Sequence, residues 1–89
     1  MLEFDPAKSI SNKRKHGIDF VEAQALWNDG DLIELSSTDS SEARQIVIGK
    51  IDSRHWSAIV TFRLGNIRII SVRRSRKKEI DFYESQKNR

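Results

Sequence analysis

What restricts this chain most is that its helix signals and its strand signals are kept apart: two capped helices are announced before any long β-branched run begins. Asp5-Pro6 is a strong helix start, because Asp caps free amides and Pro at the first helical position gives up no needed donor. Gly17 supplies a left-handed stop, so the spacing predicts a helix from Pro6 to about Lys15. Ile18-Asp19-Phe20-Val21-Glu22 then reads as a staple residue, an N-cap and a capping-box Glu, opening a second helix that ends near Asn28. Its Phe20, Ala23, Leu26 and Trp27 recur at helical spacing, the pattern of a core-facing stripe.

After the Asn28-Asp29-Gly30 turn, Leu32, Ile33 and Leu35 suggest a short strand, followed by a polar loop from Ser36 to Ser41 that is expected to be mobile. Arg44 to Ile51 and Trp56 to Leu64 read as a hairpin joined through Asp52-Ser53-Arg54-His55. Gly65-Asn66 suits a two-residue primed turn into Ile67. That turn would set Leu64 opposite Ile67, Phe62 opposite Ile69, Val60 opposite Ser71 and Ala58 opposite Arg73. On the other side Arg63 would face Arg68, a like-charge pair that a polyanion would neutralise. Ser75 reads as the N-cap of a closing helix from Arg76 to about Gln86, with Ile80 and either Phe82 or Tyr83 turned inward. Leu2 to Phe4 adds a brief edge strand. The expected fold is α+β: an antiparallel sheet of about four strands, two N-terminal helices and a C-terminal helix, with the helices gathered on one face.

Eighty-nine residues leave room for a single domain, residues 1–89, and the marginal stability expected of a chain this short leaves room for a bound partner to add to it. The absence of cysteine excludes a disulfide framework and a thiolate metal site, and fits a cytoplasmic location. Met1 to Ile10 carries Glu3, Asp5 and Pro6 and no apolar run, so neither a signal peptide nor a membrane span is expected. The net charge of +3 is laid out unevenly. Lys8, Lys13, Arg14 and Lys15 make a basic start, Gly17 to Glu42 holds seven carboxylates and no Lys or Arg, and Arg63, Arg68, Arg73, Arg74, Arg76, Lys77 and Lys78 crowd the last third. One face meeting phosphates and another that is acidic would give this layout.

Two constellations bear on chemistry. Lys8, Asn12, Lys15 and His16 fall at i, i+4, i+7 and i+8, one stripe of a helix, where Lys and amide groups suit a phosphate backbone and a histidine can exchange a proton near neutral pH. Arg68 to Ser75 runs into Arg76-Lys77-Lys78-Glu79, with Tyr83 one helical turn beyond Glu79, so Arg73, Glu79 and Tyr83 are expected to converge beside one cleft. Such groups match RNA cleavage without a metal, which needs the 2′-hydroxyl deprotonated, the phosphorane charge neutralised and the 5′-oxygen protonated. Arg and Lys carry the charge; His16, Glu79 or Tyr83 carry the protons. No metal or other cofactor is expected, since no HxxxH, Cys pair or carboxylate trio has ligand spacing, and no GxGxxG or P-loop occurs.

Phe4-Asp5-Pro6-Ala7-Lys8, Asn12, Lys15-His16-Gly17-Ile18-Asp19-Phe20 with Glu22-Ala23, and Arg68-Ile69-Ile70-Ser71-Val72-Arg73 with Glu79 and Tyr83, together resemble the BrnT family of toxins, over nearly the whole chain. The resemblance implies a RelE-like fold and a metal-independent endoribonuclease that cuts messenger RNA and inhibits translation. It also implies a BrnA-like ribbon-helix-helix antitoxin, DNA binding only through the complex with it, and the ribosome as a possible further partner. The N-terminal block carries Lys8, Asn12, Lys15 and His16; the C-terminal block carries Arg68, Arg73, Glu79 and Tyr83; Arg44 stands where members commonly have Arg. Phe4 replaces a common Trp, and Val72 with Arg74-Ser75 departs from the usual Ala-Arg-x-Ala run. The expected catalytic set is Lys15, His16, Arg73, Glu79 and Tyr83, and the expected RNA-binding set is Lys8, Asn12, Arg44, Arg63, Arg68 and Arg74. The alternative is a module without catalysis that binds nucleic acid or docks an antitoxin through the same basic surface.

Overall fold

The structure is a computed structural model that describes residues 2–36 and 44–87; apart from Ser36, the polar loop expected up to Ser41 lies outside the described residues. Strand β1 (Leu2–Phe4) leads into helix α1 (Pro6–His16). The Asp5 carboxylate accepts the Ala7 N–H at 2.8 Å, and Gly17, at φ 81°, donates its N–H to the Lys13 carbonyl. Asp19 and Glu22 form the expected capping box at the start of α2 (Phe20–Ala23). The second helix departs from a plain α-helix after one turn, because Gln24–Asn28 tighten into a 3-10 helix before the turn at Asp29.

One five-stranded sheet follows, in the order β1-β5-β4-β3-β2, with β2 (Ile33–Ser36), β3 (Arg44–Ile51), β4 (Arg54–Arg63) and β5 (Asn66–Arg74). β1 runs parallel to β5 and every other pairing is antiparallel. The sheet is therefore mixed and five-stranded rather than antiparallel with about four strands.

The register of the β4–β5 hairpin also differs from expectation. Its turn is Leu64-Gly65, with φ of 53° and 82°, the pair of positive values that a type I′ turn requires. Arg63 consequently pairs with Asn66, Phe62 with Ile67 and Thr61 with Arg68, so Arg63 and Arg68 do not face each other. A bulge follows: Val60 pairs with Ile69 but Ile59 pairs with Ser71, leaving Ile70 as the extra residue. Beyond it Ala58 faces Val72, and Arg73 lies opposite Ser57 instead of Ala58.

Alternation along β4 assigns the two sheet faces. Trp56, Ala58 and Val60, with Val47, Ile69 and Val72, form the core beneath Ile18, Phe20, Ala23 and Leu26. Ser57 points the other way and donates its hydroxyl hydrogen to Glu79 of α3 (Lys77–Lys87) at 2.9 Å. Helix α3 thus covers the face opposite α2, and the helices are not gathered on one side. It starts at Lys77, after Glu79 reaches back to accept the Arg76 N–H at 2.8 Å, while the Ser75 hydroxyl sits 2.7 Å from that of Ser57 instead of capping the helix. Tyr83 is the inward residue and Phe82 is 38 % exposed.

Helix α1 lies on neither face. Its buried residues are Ser9 and Asn12, both polar. Strand β1 pairs with β5 only as far as Ile69, and Asn12 takes up the strand edge beyond it. The Asn12 amide donates to the Val72 and Ile18 carbonyls at 2.8 Å each and accepts the Val72 N–H at 3.1 Å. A side chain here substitutes for the missing neighbour strand. Ser9 accepts the Phe20 N–H at 2.9 Å and ties α1 to α2.

Candidate active site between helix α1 and strand β5

Because Asn12 fastens α1 along the edge of β5, the outward stripe of the helix meets the bulged part of the strand. Lys8, Ser11, Asn12, Lys15 and His16 from α1 and Ile70 and Ser71 from β5 line one cavity of about 290 Å³. A second cavity, of about 470 Å³, is lined by Lys8, Arg44, Thr61, Arg63, Arg68 and Ile70. The two share Lys8 and Ile70, and among the described residues no carboxylate lines either. Arg68 has one loose acidic neighbour, Glu3 at 3.5 Å, whereas Lys13, on a different side of α1, is tied to Glu22 at 2.7 Å. This cleft brings together Lys8, Asn12, Lys15, His16, Arg44, Arg63 and Arg68 of the expected sets. Asn12 lines it, but its amide is committed to the backbone.

Arg73 shares a sheet face with Arg68, since their partners Ser57 and Thr61 are four residues apart on β4. Its guanidinium is bound in parallel by Glu79, at 2.8 and 2.9 Å. Arg73, the Arg76 N–H and the Ser57 hydroxyl hold the Glu79 carboxyl down at about 2 against the pull of burial, and the same contact raises Arg73. Glu79 therefore remains a carboxylate at neutral pH and has no proton to give.

Tyr83 does not join Arg73 and Glu79 beside a shared cleft. It is 1 % exposed, and its hydroxyl donates to Asp29 at 2.6 Å. Burial and that carboxylate push the Tyr83 phenol well above its usual range. Burial works against the charge on Asp29, but hydrogen bonds from Tyr83 and from the Lys50 and Asp31 N–H groups keep its carboxyl low. The cavity at Tyr83 has a different lining, including Asp29, Asp31, Lys50, Asp52 and Lys87. Arg74 also lies apart, on the core side of the sheet, with its guanidinium 5.4 Å from the centre of the Trp56 ring.

Four residues of the site, Ser11, Thr61, Ile70 and Ser71, were not singled out from the sequence. Ser11 had a signal, since it lies on the same helical stripe three residues after Lys8. Ser71 and Ile70 had none, because the bulge that turns them into the cleft depends on long-range pairing.

The chain matches, over residues 4–79, the profile of a family described as ribonuclease toxin, BrnT, of type II toxin-antitoxin system. No curated protein matches it. Among the described residues no helix is long and apolar enough to cross a membrane.

Proposed function

Since the chain belongs to the BrnT family of ribonuclease toxins of type II toxin-antitoxin systems, we propose that the cleft between α1 and β5 is where it cuts RNA, without a metal ion, and that messenger RNA is the substrate whose loss inhibits translation. The observation that carries this reading is the continuity of the two cavities: cations from both ends of the sequence face one space that, among the described residues, no carboxylate lines. Anionic charge developing on a phosphorane is stabilised by such preorganised donors.

In this mechanism the RNA 2′-oxygen forms a bond to the adjacent phosphorus as the bond from phosphorus to the 5′-oxygen breaks. One proton leaves the 2′-hydroxyl and one reaches the departing 5′-oxygen, giving a 2′,3′-cyclic phosphate and a free 5′-hydroxyl. His16 is the group in the cavity suited to moving a proton. Lys15 and Lys8 hold the phosphate oxygens. Arg73 and Glu79 act as a positioning pair: they anchor β5 to α3 next to Val72, which Asn12 anchors to α1, so the strand under the cleft is held from both sides. Tyr83 and Arg74 take no part.

The family brings an antitoxin partner. We assign that partner to the ribbon-helix-helix class, with DNA reached only through the complex and with the cytoplasm as the setting. Purified protein incubated with single-stranded RNA in excess EDTA tests the reading. Cleavage leaving cyclic phosphate ends is expected; cleavage that appears only after divalent metal is restored, or none at all, would overturn it.

A further inference from the structure

Among the described residues the larger cavity is lined by cations and by nothing suited to moving a proton, since Lys8, Arg44, Arg63, Arg68, Thr61 and Ile70 line it and His16 does not. We infer that it is a separate phosphate subsite, which takes the phosphate next to the one being cut on the same single strand of RNA. The inference rests on the cleavage reading above and extends it to the shape of the substrate.

Three observations carry it. The cavity adjoins the one holding His16 through Lys8 and Ile70, so a strand lying in the first runs directly into the second. Among the described residues its lining has no carboxylate, and Glu3 makes only a 3.5 Å contact with Arg68. The β-bulge supplies the geometry: the extra residue, Ile70, stands on the boundary of both cavities as an apolar divider between two cationic hollows. A trough with cations on either side of an apolar ridge tracks one backbone, which is how single strands are held without reading sequence. Lys8 reaches both hollows and bridges successive phosphates, whereas Arg63 and Arg68 contact only the second.

A division of labour follows that kinetics can read. For a single-stranded oligoribonucleotide with one cleavable linkage and a phosphate on each side of it, Arg63→Ala and Arg68→Ala should each raise KM roughly tenfold while kcat stays within about twofold. Binding of the same strand made with 2′-deoxy sugars, followed by fluorescence anisotropy against salt, should show the slope of log K on log salt reduced by about 0.7 in each variant. The thermal melt of each variant confirms that it is folded. A fall in kcat at unchanged KM, or an unchanged salt slope, overturns the subsite. The deoxy strand cannot be cut, so the binding arm remains decisive if the wild type proves to have no cleavage activity, a result that sinks the preceding reading alone. Tighter binding of a polyglutamate peptide than of the oligonucleotide, lost in Arg63→Ala, would also overturn the inference, in favour of an acidic protein segment as occupant.

Discussion

Asn12 lines the cleft, yet its amide is committed to the backbone of Ile18 and Val72. Its place on the Lys8 and His16 stripe is legible from helical spacing, but the reach of its amide to Val72, sixty residues on, is not. Asn12→Ala leaves the Val72 N–H and the Val72 and Ile18 carbonyls without this partner, and should destabilise the protein by about 2–3 kcal/mol in urea unfolding. Glu79 and Tyr83 carry the same lesson, since one-turn spacing says that two side chains share a helix face but not how deep each lies. Tyr83→Phe should lower stability by about 1 kcal/mol through the lost bond to Asp29 and leave RNA cleavage unchanged; a large fall in kcat would return the phenol to the chemistry. The Glu79 carboxyl is depressed from 4.5 to about 2 in the folded protein, so its contribution to stability is present above pH 4.5 and lost as the pH falls through that interval. Urea midpoints measured from pH 6 to pH 2 should fall less steeply in Glu79→Gln than in the wild type.

At the scale of elements, legibility follows the range of the forces involved. The caps at Asp5, Gly17 and Asp19 are settled within a few residues, and each forms where the sequence places it. Hairpin register is less local. Gly65 was legible as a turn residue, but its position within the turn depends on whether Leu64 accepts a left-handed conformation, and it does, at φ 53° and 97 % exposure. Leu64→Asn, which favours that conformation and removes an exposed apolar group, should stabilise the hairpin by about 0.5–1 kcal/mol in thermal unfolding. The parallel pairing of β1 and the bulge at Ile70 were illegible for a different reason. Three residues carry too little alternation to fix a direction, and the bulge is shaped jointly by the β4 register and by α1 docking on the strand edge.

Across the whole molecule, the uneven charge layout turns into geometry. The basic start and the basic final third meet through Lys8, Ile70 and Arg68, while Asp19, Glu22 and Asp29 of the acidic middle serve caps, an ion pair and the Tyr83 contact. The two sequence blocks that resemble BrnT toxins thus contribute both sides of the cleft and the two anchors, Asn12 and Arg73–Glu79, that hold β5 beneath it. Comparing His16→Ala with the wild type, in single-turnover cleavage of single-stranded RNA in EDTA with melting temperatures taken on the same samples, tests the central claim most directly. A rate lower by about a hundredfold or more at a melting temperature within about 2 °C is the predicted result; equal rates from two equally folded proteins would contradict the claim that the bond is cut at the C-terminal end of α1.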